Sequence, residues 1–211
     1  ITRQALTDST QSLLIDQKRY YAYLVDDVDK VQAAGSFDAV QRDAGLGLAD
    51  VAEDYVLTSM IAGGTSAGVT AVTTLAHADA AVVKIRTGLV KAKVPSTERY
   101  LAVNPEAAAL LMDGSGSLFK ANEAGSDDVI RNGVIGRYRG FTVIESPSAA
   151  LLNTSKPVFV GYWGRAVAYA DQLVQQRANP ALDAFGDQID GLHVYGSKVL
   201  RATAVQTHIS A

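Results

Sequence analysis

Along this chain the apolar positions recur with two different periods, and the switches between them mark the elements. Leu13, Leu14 and Ile15 form a short apolar run, Asp16, Gln17 and Lys18 a polar turn, and Arg19 to Val25 a second run rich in Tyr and Val. This pattern predicts a β-hairpin. Tyr21, Tyr23 and Val25 alternate with Tyr20, Ala22 and Leu24, so both faces are substantially covered and the hairpin must lie on another surface or be the end of a longer arm. From Phe37 to Ile61 the period becomes helical, with Phe37, Val40, Ala44, Leu48, Val51, Tyr55 and Met60 as the recurring positions. Ser36 suits the N-cap, Asp38 the first turn, and Gly63-Gly64 the stop. Such a rod spans roughly 36 Å. Gly45 and Gly47 lie inside it, each at a cost of about 1 kcal/mol relative to Ala. They predict close approach of another backbone, or a bend.

The stretch IAGGTSAGVT, 61–70, reads as a flexible connection between two subdomains. Thr74 to Lys93 is a second amphipathic helix, with Leu75, Val82, Ile85, Leu89 and Val90 on one face and Pro95 beyond its end. Tyr100 to Val103 is a short buried strand. Asn104 caps a helix that opens with Pro105 and Glu106 and ends near Met112-Asp113-Gly114. The polar, Gly-rich run Ser115 to Asp128 predicts an exposed loop, and Val129 to Gly136 a short helix or turn. Phe141 to Glu145 and Val158 to Trp163 read as strands. Ala166 to Arg177 suits helix or strand equally, and Leu192 to Val205 reads as one long final strand. The sum is an α+β fold.

Composition narrows the function. With 48% hydrophobic and 19% charged residues the chain is too apolar to be disordered. No run approaches the 18 apolar residues of a membrane span, and no secretory signal is visible. The chain starts at Ile1, not Met, which suggests a missing upstream segment. No cysteine is present, which removes disulfides, thiol catalysis and cysteine-based zinc sites, and fits a reducing cytoplasm. Residues 1–60 carry five basic and ten acidic side chains, and residues 61–165 eleven basic and eight acidic. That basic excess is too mild for tight DNA or RNA binding.

Candidate chemistry is sparse. His77, His193 and His208 lack metal-ligand spacing. Asp26, Asp27 and Asp29 could hold a cation, but complete no EF-hand pattern and read as a solvated turn. Asp127-Asp128 reads as solvated too. The 61–70 loop lacks the Lys of a phosphate-binding loop, and no G-x-S-x-G elbow occurs. No catalytic, cofactor or metal residue is therefore expected. Arg131, Arg137 and Arg139 could bind an anion, and better suit carboxylates on a neighbouring subunit. Tyr162, Trp163 and Tyr169 read as core or interface anchors rather than a ligand pocket.

The order of elements, with DQKRYYAYLVDDVDK, RYLAVNPEAAALLM, NGVIGRYRGFTVIESPS and GLHVYGSKVLRA, resembles the major capsid (coat) proteins of tailed bacteriophages, the Hong-Kong-ninety-seven-like fold. The resemblance covers about Ser12 to the C-terminus and rests on segment patterns rather than one signature. It implies the end of an extended loop and the first peripheral strands over 1–30, and a spine helix of the peripheral domain over 31–62. An axial domain would follow over 63–164, with a return to the peripheral domain over 165–211. The family's N-terminal arm and the first half of its extended loop have no counterpart here, so by itself this chain is expected to give monomers or small oligomers. The family's Lys–Asn crosslink has no assignable residues either.

The resemblance further implies a non-enzymatic subunit of an icosahedral virion shell around double-stranded DNA, assembled in the bacterial host cytoplasm without a membrane. Its partners would be copies of itself in hexamers and pentamers, with a scaffolding protein and a portal. The related alternative is an encapsulin nanocompartment shell. The alternative of a different class is a small α/β nucleotide-binding enzyme domain using residues 61–70.

Overall fold

The computed structural model describes residues 10–26, 38–112, 134–148, 150–151, 156–181 and 185–211. Among the described residues there are nine strands, in two sheets, and three α-helices, one of them a long helix that joins the sheets. Strand β1 is Gln17–Asp26, followed by helix α1 (Asp38–Gly63), β2 (Thr65–Gly68) and α2 (Leu75–Lys91). Then come β3 (Arg99–Val103), α3 (Pro105–Met112), β4 (Val134–Tyr138), β5 (Phe141–Glu145) and β6 (Val158–Trp163). The chain closes with β7 (Val167–Pro180), β8 (Gly186–Val199) and β9 (Val205–Ile209).

The first sheet is antiparallel, in the order β1-β8-β7. Its strands of 10 to 14 residues make it long and narrow. Tyr195 anchors α1 on it. Its ring is fully buried, meets Tyr55 edge-on at 5.7 Å, and its hydroxyl donates to the Val51 carbonyl. Four residues on, Ser59 and Ser197 share a hydrogen bond of 3.3 Å.

The second sheet is mixed, in the order β2-β9-β6-β3-β5-β4. Helix α2 crosses it with Val82, Ile85 and Leu89 buried. The close approach is set by Gly161 of β6, where a Cβ would stand 2.3 Å from Ile85 Cγ2. Thr74 caps the start of α2 by accepting from the His77 N–H. Its end is a Schellman turn: the Lys93 N–H donates to Val90 O, the Val94 N–H to Leu89 O, and Lys93 takes a φ of 54°. The C-terminal half of α1 supplies Leu57 and Met60 to this same core. One helix is thus built into both sheets, and at 26 residues it is about 39 Å long.

Several expectations change. Leu13 to Ile15 is not a strand, so the hairpin expected over 13–25 does not form; β1 pairs with β8, on the far side of the sequence. The stretch 61–70 is not a loose connection, because Thr65–Gly68 is a strand parallel to β9. Gly136, expected in a helix or turn, sits in β4. Of the stretch Ala166 to Arg177, Ala166 ends a 3-10 turn and the rest, from Val167, is strand. The single strand expected over 192–205 is two, since the chain leaves the first sheet at Val199, turns through Ala202–Ala204, and enters the second as β9. No described residue comes within 4 Å of where a Cβ would stand at Gly45 or Gly47. On α2, Val90 faces outward while Ala78 and Ala81 are buried.

Candidate subunit interface

Arg139 and Gly140 form the two-residue turn between β4 and β5, because Tyr138 pairs with Phe141. Their φ values are 52° and 87°, the double positive φ of a type I′ turn, which suits the twist of a hairpin. Gly140 meets this demand freely, whereas an arginine needs compensation. The compensation comes from Asp79 on α2. Arg139 grips that carboxylate with Nη2 on Oδ2 at 2.8 Å and Nε on Oδ1 at 3.0 Å. The Tyr138 hydroxyl donates to the same Oδ1. These contacts with Tyr138 and Asp79 hold the Arg139 guanidinium above its ordinary range. Burial, then the bond to Asp79, raises the Tyr138 hydroxyl. Of the three arginines singled out from the sequence, Arg139 therefore has a carboxylate within its own chain. Arg137 is exposed on β4 and has no ion-pair partner among the described residues, and Arg131 lies outside them.

A second set of contacts, not foreseen from the sequence, ties α1 to the segment after β5. Ser146 Oγ donates to Glu53 Oε1 at 2.5 Å, Ser148 Oγ donates to Asp54 Oδ1, and the Ala150 N–H donates to the same oxygen. Both serines are buried. The only advance signal was the ESPS run after a strand, and nothing local connects it to residues about ninety positions earlier.

The histidines do not gather. His77 bonds Thr73, His193 bonds the Tyr169 hydroxyl, and His208 is fully buried with Nε2 3.1 Å from Thr70 Oγ1. Burial and then the charge of Lys84 lower the His208 pKa. Among the described residues no group of His, Asp or Glu could hold a metal. The aromatics also separate. Tyr162 stacks on Tyr100 at 5.6 Å in the second sheet, its hydroxyl pushed up to about 12 by burial, while Tyr169 lies in the first. Asp26 ends β1; Asp27, Asp29 and Asp127-Asp128 lie outside the described residues. No helix among the described residues is long and apolar enough to cross a membrane.

The functional surface of such a molecule is its outside. A profile of the phage capsid protein family matches residues 11–207. No curated protein sequence matches. Among solved structures, a chain of Mycobacterium phage Che8 is 33% identical with a TM-score of 0.81, covering 99% of this chain and 76% of that one. The capsid of cyanophage P-SCSP1u is 15% identical with a TM-score of 0.73, covering 97% and 78%. The holo-SrpI encapsulin complex from Synechococcus elongatus is 11% identical with a TM-score of 0.62, covering 92% and 73%, a likeness of fold alone. The fold is the Hong-Kong-ninety-seven-like fold of capsid shells. The chain belongs to the phage capsid protein family. It is a structural subunit that assembles with copies of itself into the icosahedral shell, and its place is the virion.

Proposed function

We propose that the shell consists of hexamers and pentamers of this chain and encloses double-stranded phage DNA without sequence-specific contact. The subunit works by shape and contact, with no catalytic step. The observation that carries this reading is the identity with a phage chain along almost the whole length. It favours a genome container over an enzyme-filled nanocompartment. The mild net charge of −3 is consistent with it, since a strongly basic lining would hold phosphates. Helix α1 with the β1-β8-β7 sheet serves as the peripheral domain, and the six-stranded sheet with α2 and α3 as the axial one. On that assignment β9 ends the chain in the axial sheet, and the return to the peripheral domain covers β7 and β8 only. Scaffolding and portal proteins act as partners during assembly in the bacterial host cytoplasm.

The test is to purify particles from cells expressing the phage's structural genes, treat them with nuclease, and analyse the contents. Protected genomic DNA is expected. Particles containing an enzyme and no DNA would overturn the reading in favour of a nanocompartment.

A further inference from the structure

Asp43, Leu46, Gly47 and Asp50 follow helical spacing along one stripe of α1. All four are exposed, Leu46 at 63%. A glycine inside a helix costs about 1 kcal/mol relative to Ala. Nothing among the described residues accounts for that cost at Gly47, where a Cβ would meet none of their atoms within 4 Å. Asp43 and Asp50 have no ion-pair partner among the described residues. Over the whole helix, one arginine stands against five carboxylates.

The opposite character appears on α2. Val83, Arg86, Thr87 and Val90 make an exposed stripe with the same spacing, Val90 at 54%. From Ala80 to Thr97 the chain carries four cations and no carboxylate. Arg86, Lys91 and Lys93 are exposed and have no ion-pair partner among the described residues. Each stripe therefore has apolar knobs bordered by charge, and the two charges are opposite. Both stripes are exposed on the single chain, so a pairing between them joins two molecules.

We propose that the Asp43–Asp50 stripe of α1 docks on the Val83–Val90 stripe of α2 in a second copy of the chain. The two surfaces differ, so the contact is head-to-tail and propagates around a ring of subunits. Opposite charge fixes the register, and Gly47 lets the helix axes approach to the short end of the usual 8–10 Å range. This inference rests on the shell-subunit reading and names a surface that the shell uses.

The experiment uses the full-length gene product and reads assembled fraction by sedimentation, with thermal midpoint as the control for folding. Gly47→Gln should leave the midpoint unchanged or raise it, because the position is open and Gln is the better helix former. It should weaken assembly by about tenfold, the equivalent of roughly 1.4 kcal/mol. Asp43→Lys with Asp50→Lys should weaken assembly, as should Arg86→Glu with Lys91→Glu. The chain carrying all four changes should recover it. Normal assembly of Gly47→Gln, or no recovery in the four-fold swap, would overturn the proposed contact. If the unmodified protein and every variant form particles alike, this contact fails and the shell reading stands. If the unmodified protein forms none, the shell reading itself fails.

Discussion

At the scale of single residues, the side chains that matter most are buried polar groups with several partners. Asn104 is fully buried. Its Oδ1 accepts from the Ala107 and Val158 N–H groups, and its Nδ2 donates to Lys156 O. It caps α3 and at the same time fixes the start of β6. Asn104→Ala leaves two buried donors unpaired and should cost about 2–4 kcal/mol. Urea denaturation would register it as a lower midpoint with an unchanged slope. The cap was readable in advance because its chemistry is local, Asn-Pro-Glu at the mouth of an apolar run. Its second task, holding Val158, was not readable, because that partner is 54 positions away.

His208 makes a pH prediction. Burial holds its folded pKa below the unfolded value of about 6.5. The unfolded chain then binds more protons once the pH falls through that value, so His208 has no linked effect well above it and costs stability as the pH falls below it. The groups facing it from neighbouring elements are Thr70, Phe159 and the Lys84 ammonium, and no carboxylate among them offsets the penalty. The thermal midpoint of the wild type should fall between pH 7.5 and 5. In His208→Gln this fall should be smaller, and an identical fall in both proteins would assign it to other groups.

At the scale of elements, legibility depended on whether an element's partners are near in sequence. Helices α1, α2 and α3 were readable from period and caps, since a helix satisfies its backbone internally. Strands were readable as runs but not as pairings. Leu13 to Ile15 resembled half of a hairpin because the polar triplet Asp16-Gln17-Lys18 follows it, yet the real partner of β1 is β8. The run from Leu192 onward looked continuous because no Pro interrupts 200–204, yet the chain changes sheets there. The Arg139 turn shows the same limit: an Arg-Gly pair between apolar runs signals a tight hairpin, but the Asp79 that supports it lies 60 positions away.

The joint between α1 and the Ser146–Ala150 segment belongs to this scale. It tethers the long helix to the strand end of the six-stranded sheet through two charge-assisted hydrogen bonds. Ser148→Ala removes one donor to Asp54 and should lower stability by about 1–2 kcal/mol. Gly161→Ala acts on a different joint, the crossing of α2 over β6, and should cost about 1–3 kcal/mol through overpacking against Ile85. Chemical denaturation of both single variants and their combination should give nearly additive losses, since Ser148 bonds Asp54 whereas Gly161 packs on Ile85.

At the scale of the whole molecule, the architecture is one rod, α1, built into two sheets and leaving two oppositely charged helix faces outside. Such a body has the features of a repeating part: distinct surfaces, joints that brace them, and no gathered metal or histidine site among the described residues. The family and fold were readable from the order of segments. Contacts between copies leave no periodic trace in one chain, so the sequence could name only single residues for them, Arg137 among these. It is exposed and unpaired by any described residue. Arg137→Glu should therefore leave the thermal midpoint unchanged while reducing assembly, whereas Arg139→Glu should also loosen the β4–β5 turn through loss of Asp79. The most direct test of the central claim is electron microscopy of the full-length gene product at high concentration. Closed shells or capsomer-sized rings are the predicted result, and monodisperse monomers throughout would contradict it.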